Sequence, residues 1–135
     1  MNFSEANIDN NLNHKLLLNN IPAAILLIDS KYNIIFINYA AENLLGESSS
    51  GLTNKNLKNF LSIDNQLYSL INQVLKQKYN ATQYDITIND LRKKALLVDV
   101  EAGLYNDNYI ILCFHKRSIA EQIDRRVIQK NSHSV

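Results

Sequence analysis

The chain has 135 residues, 46% of them apolar, and a formal net charge of +1 from 14 basic and 13 acidic side chains. That is one domain with enough apolar mass for a core, and so even a charge balance excludes binding to nucleic acid or an anionic membrane through global charge. A single Cys excludes an intrachain disulfide and a Cys-rich metal site, and the most apolar run, Ala23 to Ile28, falls far short of the roughly 20 residues that span a bilayer.

Residues 5–20 are predicted to form a helix, because Ile8, Leu12 and Leu16 recur at i, i+4 and i+8 and Leu17 widens the stripe. Pro22 stops it and pushes Ile21 to extended geometry. Ala24–Asp29 is apolar on both faces and suits a central, doubly covered strand. Ser30–Asn33 is a turn in which Asn33 can take the left-handed conformation, and Ile34–Ile37 is the second strand. Asn38 stands where a helix N-cap belongs. Tyr39–Leu45 is a short helix closed by Gly46, and Ser48–Gly51 reads as a mobile loop.

Leu57, Phe60 and Leu61 mark a further helical turn. Leu67, Leu70, Ile71, Val74 and Leu75 then repeat at helical spacing over about 65–78. After Asn80 the period changes to two, with Tyr84, Ile86 and Ile88 on one face of a half-exposed strand. Asn89-Asp90 begins a turn, residues 95–102 form a strand with Val98, Val100 and Ala102 on one side, and Asn106–Asn108 is a hairpin tip. Tyr109–Phe114 is again apolar on both faces. Ser118-Ile119-Ala120-Glu121 is a capping box opening a polar helix over about 118–130, and Ala120, Ile123 and Val127 give it a narrow apolar seam of the kind that starts a coiled coil.

A hairpin, a helical crossover and a three-strand meander make an α+β domain with one five-stranded antiparallel sheet. The first and last strands, being the most apolar, should lie in the middle. The middle helices cover one face, and the N-terminal helix or a partner subunit the other. Asn makes up about one residue in seven and is read as composition bias, since its blocks alternate with regularly spaced Leu and Ile. The acidic, Asn-rich N-terminus has no signal-peptide pattern, so a cytoplasmic, reducing location is expected.

The segment LLLNNIPAAILLIDSKYNIIFINYAAENLLG, Leu16 to Gly46, resembles PAS domains: leading strand, turn, second strand, and a capped helix with Asn before Ala-Ala-Glu and a Leu-Leu-Gly ending. The resemblance implies a PAS fold, with helices on one face of the sheet and flanking helices at both ends. RSIAEQIDRRVIQKNSHSV, Arg117 to Val135, resembles the connector of NtrB-type nitrogen-regulation sensor histidine kinases, where a similar Arg-Ser/Thr-x-Ala-x-x-x-Asp-Arg stretch and a Ser-Val precede the phospho-acceptor helix. Together the two resemblances run from about Lys15 onward. They imply a flanking helix at 1–22, a PAS core at 23–117, and at 118–135 the start of a signalling helix leading to a kinase domain not present in this chain. The implied role is that of a regulatory PAS sensor and dimerisation domain of a two-component histidine kinase in nitrogen regulation. A PII-type regulator and a response regulator are the implied partners of the full-length protein. One departure stands out: many PAS domains end the last strand in an Asp-Ile-Thr-like triplet, whereas this chain has Lys116-Arg117-Ser118, so signal routes assigned to that Asp do not transfer.

No catalytic residue is assigned. No His is followed by Glu-(Ile/Leu)-(Lys/Arg)-Asn-Pro, and there is no Gly-rich ATP box, so no enzyme activity is expected of this stretch. His133 lies in a polar tail without the neighbours of a phospho-acceptor, and His14 and His115 lack partners at ligand spacing, so neither metal nor haem is expected. Cys113 sits within an apolar strand, away from the helical side where a flavin-reactive Cys would be needed, and reads as a small buried hydrophobe. Lys93-Lys94 and Arg125-Arg126 are solvated basic pairs. Leu67, Leu70, Ile71 and Val74 either fill an ordinary core or line a pocket, and the pocket would make the domain a small-metabolite sensor of another signalling protein. The seam of Ala120, Ile123 and Val127 and the stripe of Ile8, Leu12 and Leu16 point to a parallel homodimer. Phe114, His115, Lys116, Arg117 and Ser118 are the expected exit for a signal leaving the sheet.

Overall fold

The computed structural model describes residues 14, 16–62, 64–89 and 94–118. Residues 16–20 are helical and lead into β1 (Ala24–Asp29) and β2 (Ile34–Ile37). There follow α1 (Tyr39–Leu45), α2 (Ser49–Leu52), a 3-10 turn (Leu57–Asn59) and α3 (Gln66–Gln77), then β3 (Ala81–Asn89), β4 (Ala95–Asn106) and β5 (Tyr109–Lys116). The five strands lie in the order β2-β1-β5-β4-β3, every neighbouring pair antiparallel. The two most apolar strands therefore lie side by side inside the sheet, as expected, but the expected cover on both faces is not seen: among the described residues only their helix-facing side chains are fully buried.

The core lies between the sheet and the helices. Leu26, Ile28, Val98, Val100, Ile110 and Leu112 point into it from the strands, and α3 packs over β3 and β4 with its stripe of Leu67, Leu70, Ile71 and Val74 in the same core. Asn65 caps α3 by accepting from the Leu67 N–H at 2.9 Å, and its own amide donates to the Thr87 carbonyl at 2.9 Å, tying the helix start to β3. On the outer face Ile25, Leu27, Phe36 and Cys113 are half-buried, while Ile111 is exposed.

Four local expectations need correction. Ser48–Gly51 is not a loop, because Ser49–Leu52 turns helically around the buried Leu52, with the Glu47 carboxylate accepting the Ser48 N–H at 2.9 Å. In the first hairpin Tyr32, not Asn33, is left-handed at φ 72°. Its ring packs edge-on against Tyr68 at 5.4 Å and its hydroxyl donates to Asn72 at 2.7 Å, contacts that offset the backbone cost. Asn33 instead donates to Asp29 from both its N–H and its side chain. Tyr84 does not share the inner face with Ile86 and Ile88: a bulge between Gln83 and Ile86, with Asp85 at φ 59°, turns it outward to 58% exposure. Finally, β4 runs to Asn106, beyond the expected 102, and β5 to Lys116.

Candidate functional site

The chain leaves the sheet at its centre. Phe114 is the last β5 side chain in the core, His115 and Lys116 are exposed, and the Arg117 N–H extends the ladder by donating to the Leu97 carbonyl at 3.0 Å. The Arg117 guanidinium turns back along the outer face and meets the Asp99 carboxylate of β4, Nη1 to Oδ2, at 2.5 Å, with both side chains about nine-tenths buried. The other Asp99 oxygen accepts the Asp85 N–H at 3.0 Å, the amide that the β3 bulge aims inward. One carboxylate thus joins β3, β4 and the residue at which the chain departs. Asp99 also faces His115 across the strand pair. Sequence reasoning singled out Arg117 but missed Asp99 and Asp85. The available signal was one acid in the apolar run Leu96–Val100, since a buried carboxylate needs a partner.

The chain's entry point is held as firmly. Asn38, fully buried, accepts from the Ile25 N–H at 2.9 Å and the Ala41 N–H at 3.0 Å, and donates to the Leu18 carbonyl at 2.8 Å and the Ala23 carbonyl at 2.9 Å. The expected N-cap is present, and the same side chain anchors the helical residues 16–20 to β1. The Asn19 side chain adds a bond from the Tyr39 N–H at 3.2 Å. Leu16, from the predicted stripe, is 58% exposed, and Leu17 is 62% exposed. Ala24 pairs with Phe114, so entry and exit lie side by side. Between them and α1 is a groove of about 420 Å³. Ile8, Leu12, Ala120, Ile123, Val127, His133, Lys93, Arg125, Arg126 and the Asp90 turn lie outside the described residues.

In the interior, Leu67, Leu70, Ile71 and Val74 pack in the core cluster. A void of about 30 Å³ lies elsewhere, among Leu26, Ile34, Leu52, Leu57, Phe60 and Phe114. It is far too small for a metabolite, and its apolar lining gives a water nothing to bond. Cys113 lies on the outer face, across the sheet from the helices. Burial, and then the neighbouring Glu101 charge, push its thiol up and keep it protonated, the opposite of a reactive cysteine. Among the described residues no three His, Cys, Asp or Glu side chains gather in a way that could hold a metal, and no helix is long and apolar enough to cross a membrane.

A family model described as PAS fold matches residues 14–117. The sensory histidine kinase/phosphatase NtrB of Rhizobium meliloti is 27% identical over 117 residues, an alignment that takes in 84% of this chain and 31% of the relative. The protein of the same name from Azospirillum brasilense is 24% identical over 119 residues, with 87% and 30% covered. The chain thus spans about a third of the length of these curated relatives. Among solved structures, the PAS domain of nitrogen regulation protein NR(II) from Vibrio parahaemolyticus superposes with a TM-score of 0.68 at 22% identity, over 77% of this chain and 97% of that one.

Proposed function

The chain belongs to the PAS fold family, and from that premise we propose that it is the sensor and dimerisation module of a cytoplasmic nitrogen-regulation histidine kinase of a two-component system. In this reading residues 1–22 and 118–135 are helical handles on either side of the PAS core, and the module works without haem or flavin. The kinase domain follows in the same protein. A PII-type regulator and a response regulator act on the full-length kinase.

The observation that carries the reading is the placement of β5. It is at once the middle strand of the sheet and the last one before the connector, and the Arg117–Asp99 pair braces its end against β4 and the β3 bulge. A change in how the outer face or the N-terminal helix is packed shifts that end. Whatever helix follows then changes its angle or pairing, which biases kinase against phosphatase states further along. The exposed Leu16 and Leu17 leave the N-terminal handle free to pair with a second copy.

Sedimentation of the chain tests this. Ile123→Asp, which places a charge in the connector seam, is expected to weaken self-association while the thermal melt stays unchanged. A dimer of unaltered affinity would overturn the reading.

A further inference from the structure

Lys31, Lys55 and Lys58 gather at the end of the sheet opposite the chain's exit. Ala24 stands beside Phe114 at the exit end of β1, whereas Asp29 and the turn that follows lie at the far end, beside Tyr109. Lys31 belongs to that turn, and its carbonyl accepts the Asn56 side-chain amide at 2.8 Å. The Lys55 carbonyl accepts the Ile34 N–H at 2.8 Å, and the Leu57 N–H donates to the Tyr32 carbonyl at 2.8 Å. The 3-10 turn is thereby fastened to the first hairpin, and the Lys58 ammonium stands over the Tyr32 ring, 4.8 Å from its centre. Lys31, Lys55 and Lys58 are all exposed.

Acids are missing from the segments that build this face. Residues 30–41, 53–63 and 65–78 contain none. Asp29 borders the face, but its two oxygens accept the Lys31 N–H at 2.9 Å, the Asn33 N–H at 2.9 Å and the Asn33 side-chain amide at 3.1 Å. Among the described residues Lys55 and Lys58 form no ion pair. A chain with a net charge of only +1 thus carries a local positive field here. At its centre stands the left-handed Tyr32, held by Asn72 and Tyr68 of α3. Backbone cost of this kind gathers at binding sites. Lys76, also exposed, follows Asn72 by one turn of α3 and extends the field along the helix.

We propose that this face docks an acidic segment of a partner protein, whose carboxylates meet Lys31, Lys55 and Lys58. The charges are lysine ammonium groups, with no Arg fork to grip a phosphate from two sides. Lys58 also lies over the Tyr32 ring, where a base would otherwise stack. Both features favour protein carboxylates over nucleic acid. A partner bound here bridges the first hairpin and the 3-10 turn, at the end of the sheet away from Lys116.

Hexaglutamate added to the isotope-labelled chain reads the face directly. Amide shifts are expected at Lys31, Tyr32 and Asn33 and at Lys55 through Asn59, with an affinity that falls as salt rises. Lys55→Gln combined with Lys58→Gln is expected to weaken binding about tenfold, with the thermal melt confirming that the variant is folded. Gln83→Glu combined with Asn108→Asp makes the same change in net charge at other exposed positions, and is expected to leave the affinity unchanged. Equal weakening by the two double variants overturns the proposal, since net charge alone would then act. So do shifts spread evenly over the surface, or no shift at millimolar peptide. Oligothymidylate displacing hexaglutamate from these amides at a lower concentration also overturns it, in favour of a nucleic-acid surface.

Discussion

The Asn38 amide offers two donors and two acceptor lone pairs, and all four are engaged in a site closed to water. Only one orientation satisfies them. Asn38→Asp keeps the acceptors but turns a charged oxygen toward the Leu18 and Ala23 carbonyls, at a cost of about 3 kcal/mol or more. Urea denaturation at neutral pH measures it, and the deficit should shrink in acid, where the protonated carboxyl regains one donor. Asp29 works in the opposite sense. Burial raises its carboxyl, but the Asn33 N–H and side chain, the Lys31 N–H and the Lys31 charge outweigh that and hold it below 3.8. A lowered folded value means stability that is full above about pH 5 and is lost as pH falls through it. The stability difference between the native chain and Asp29→Asn should therefore narrow on acidification, and a gap independent of pH would contradict this. Asn38 as a cap was legible in the residues around it. Its bonds to Leu18 and Ala23 were not, because partners 20 and 15 positions away leave no local pattern.

Among the elements, the end of β5 meets the interior of β4 and the bulge of β3 at one ion pair. A buried pair adds little net stability, but removing one partner leaves the other charge stranded. Asp99→Asn and Arg117→Gln should each cost about 3 kcal/mol, and the double variant should recover much of the loss, a coupling that a double-mutant cycle reads. Hydrogen exchange should show the Arg117 and Asp85 amides losing protection first; additive losses with both amides still protected would refute the coupling. Short apolar runs and period-two or helical spacing revealed every strand and the long helix, because both are local properties of the sequence. It did not reveal the β3 bulge, where an extra residue breaks the alternation and a left-handed Asp85 is stabilised by an acid on another strand. It also missed the turn Ser49–Leu52, a four-residue helix held by one buried Leu with no repeat to detect.

For the whole molecule, the inner place of two strands followed from hydrophobicity: Tyr109–Phe114 and Ala24–Asp29, the most apolar, were expected in the middle and lie there. The groove and the exit brace were not legible: the groove joins residues 22–44 to 94–116, and the brace brings Asp85, Asp99 and Arg117 together across three strands. The topology has a further consequence for biosynthesis. β2-β1 and β4-β3 are two separate ribbons that only β5 joins. A nascent chain emerging from the ribosome cannot complete its sheet until nearly all the residues through Lys116 have been translated, and until then the half-finished ribbons present open edges to chaperones and to one another. Maturation of the domain is thus timed to the moment the residues beyond Lys116 begin to appear, so that they first meet an already folded neighbour.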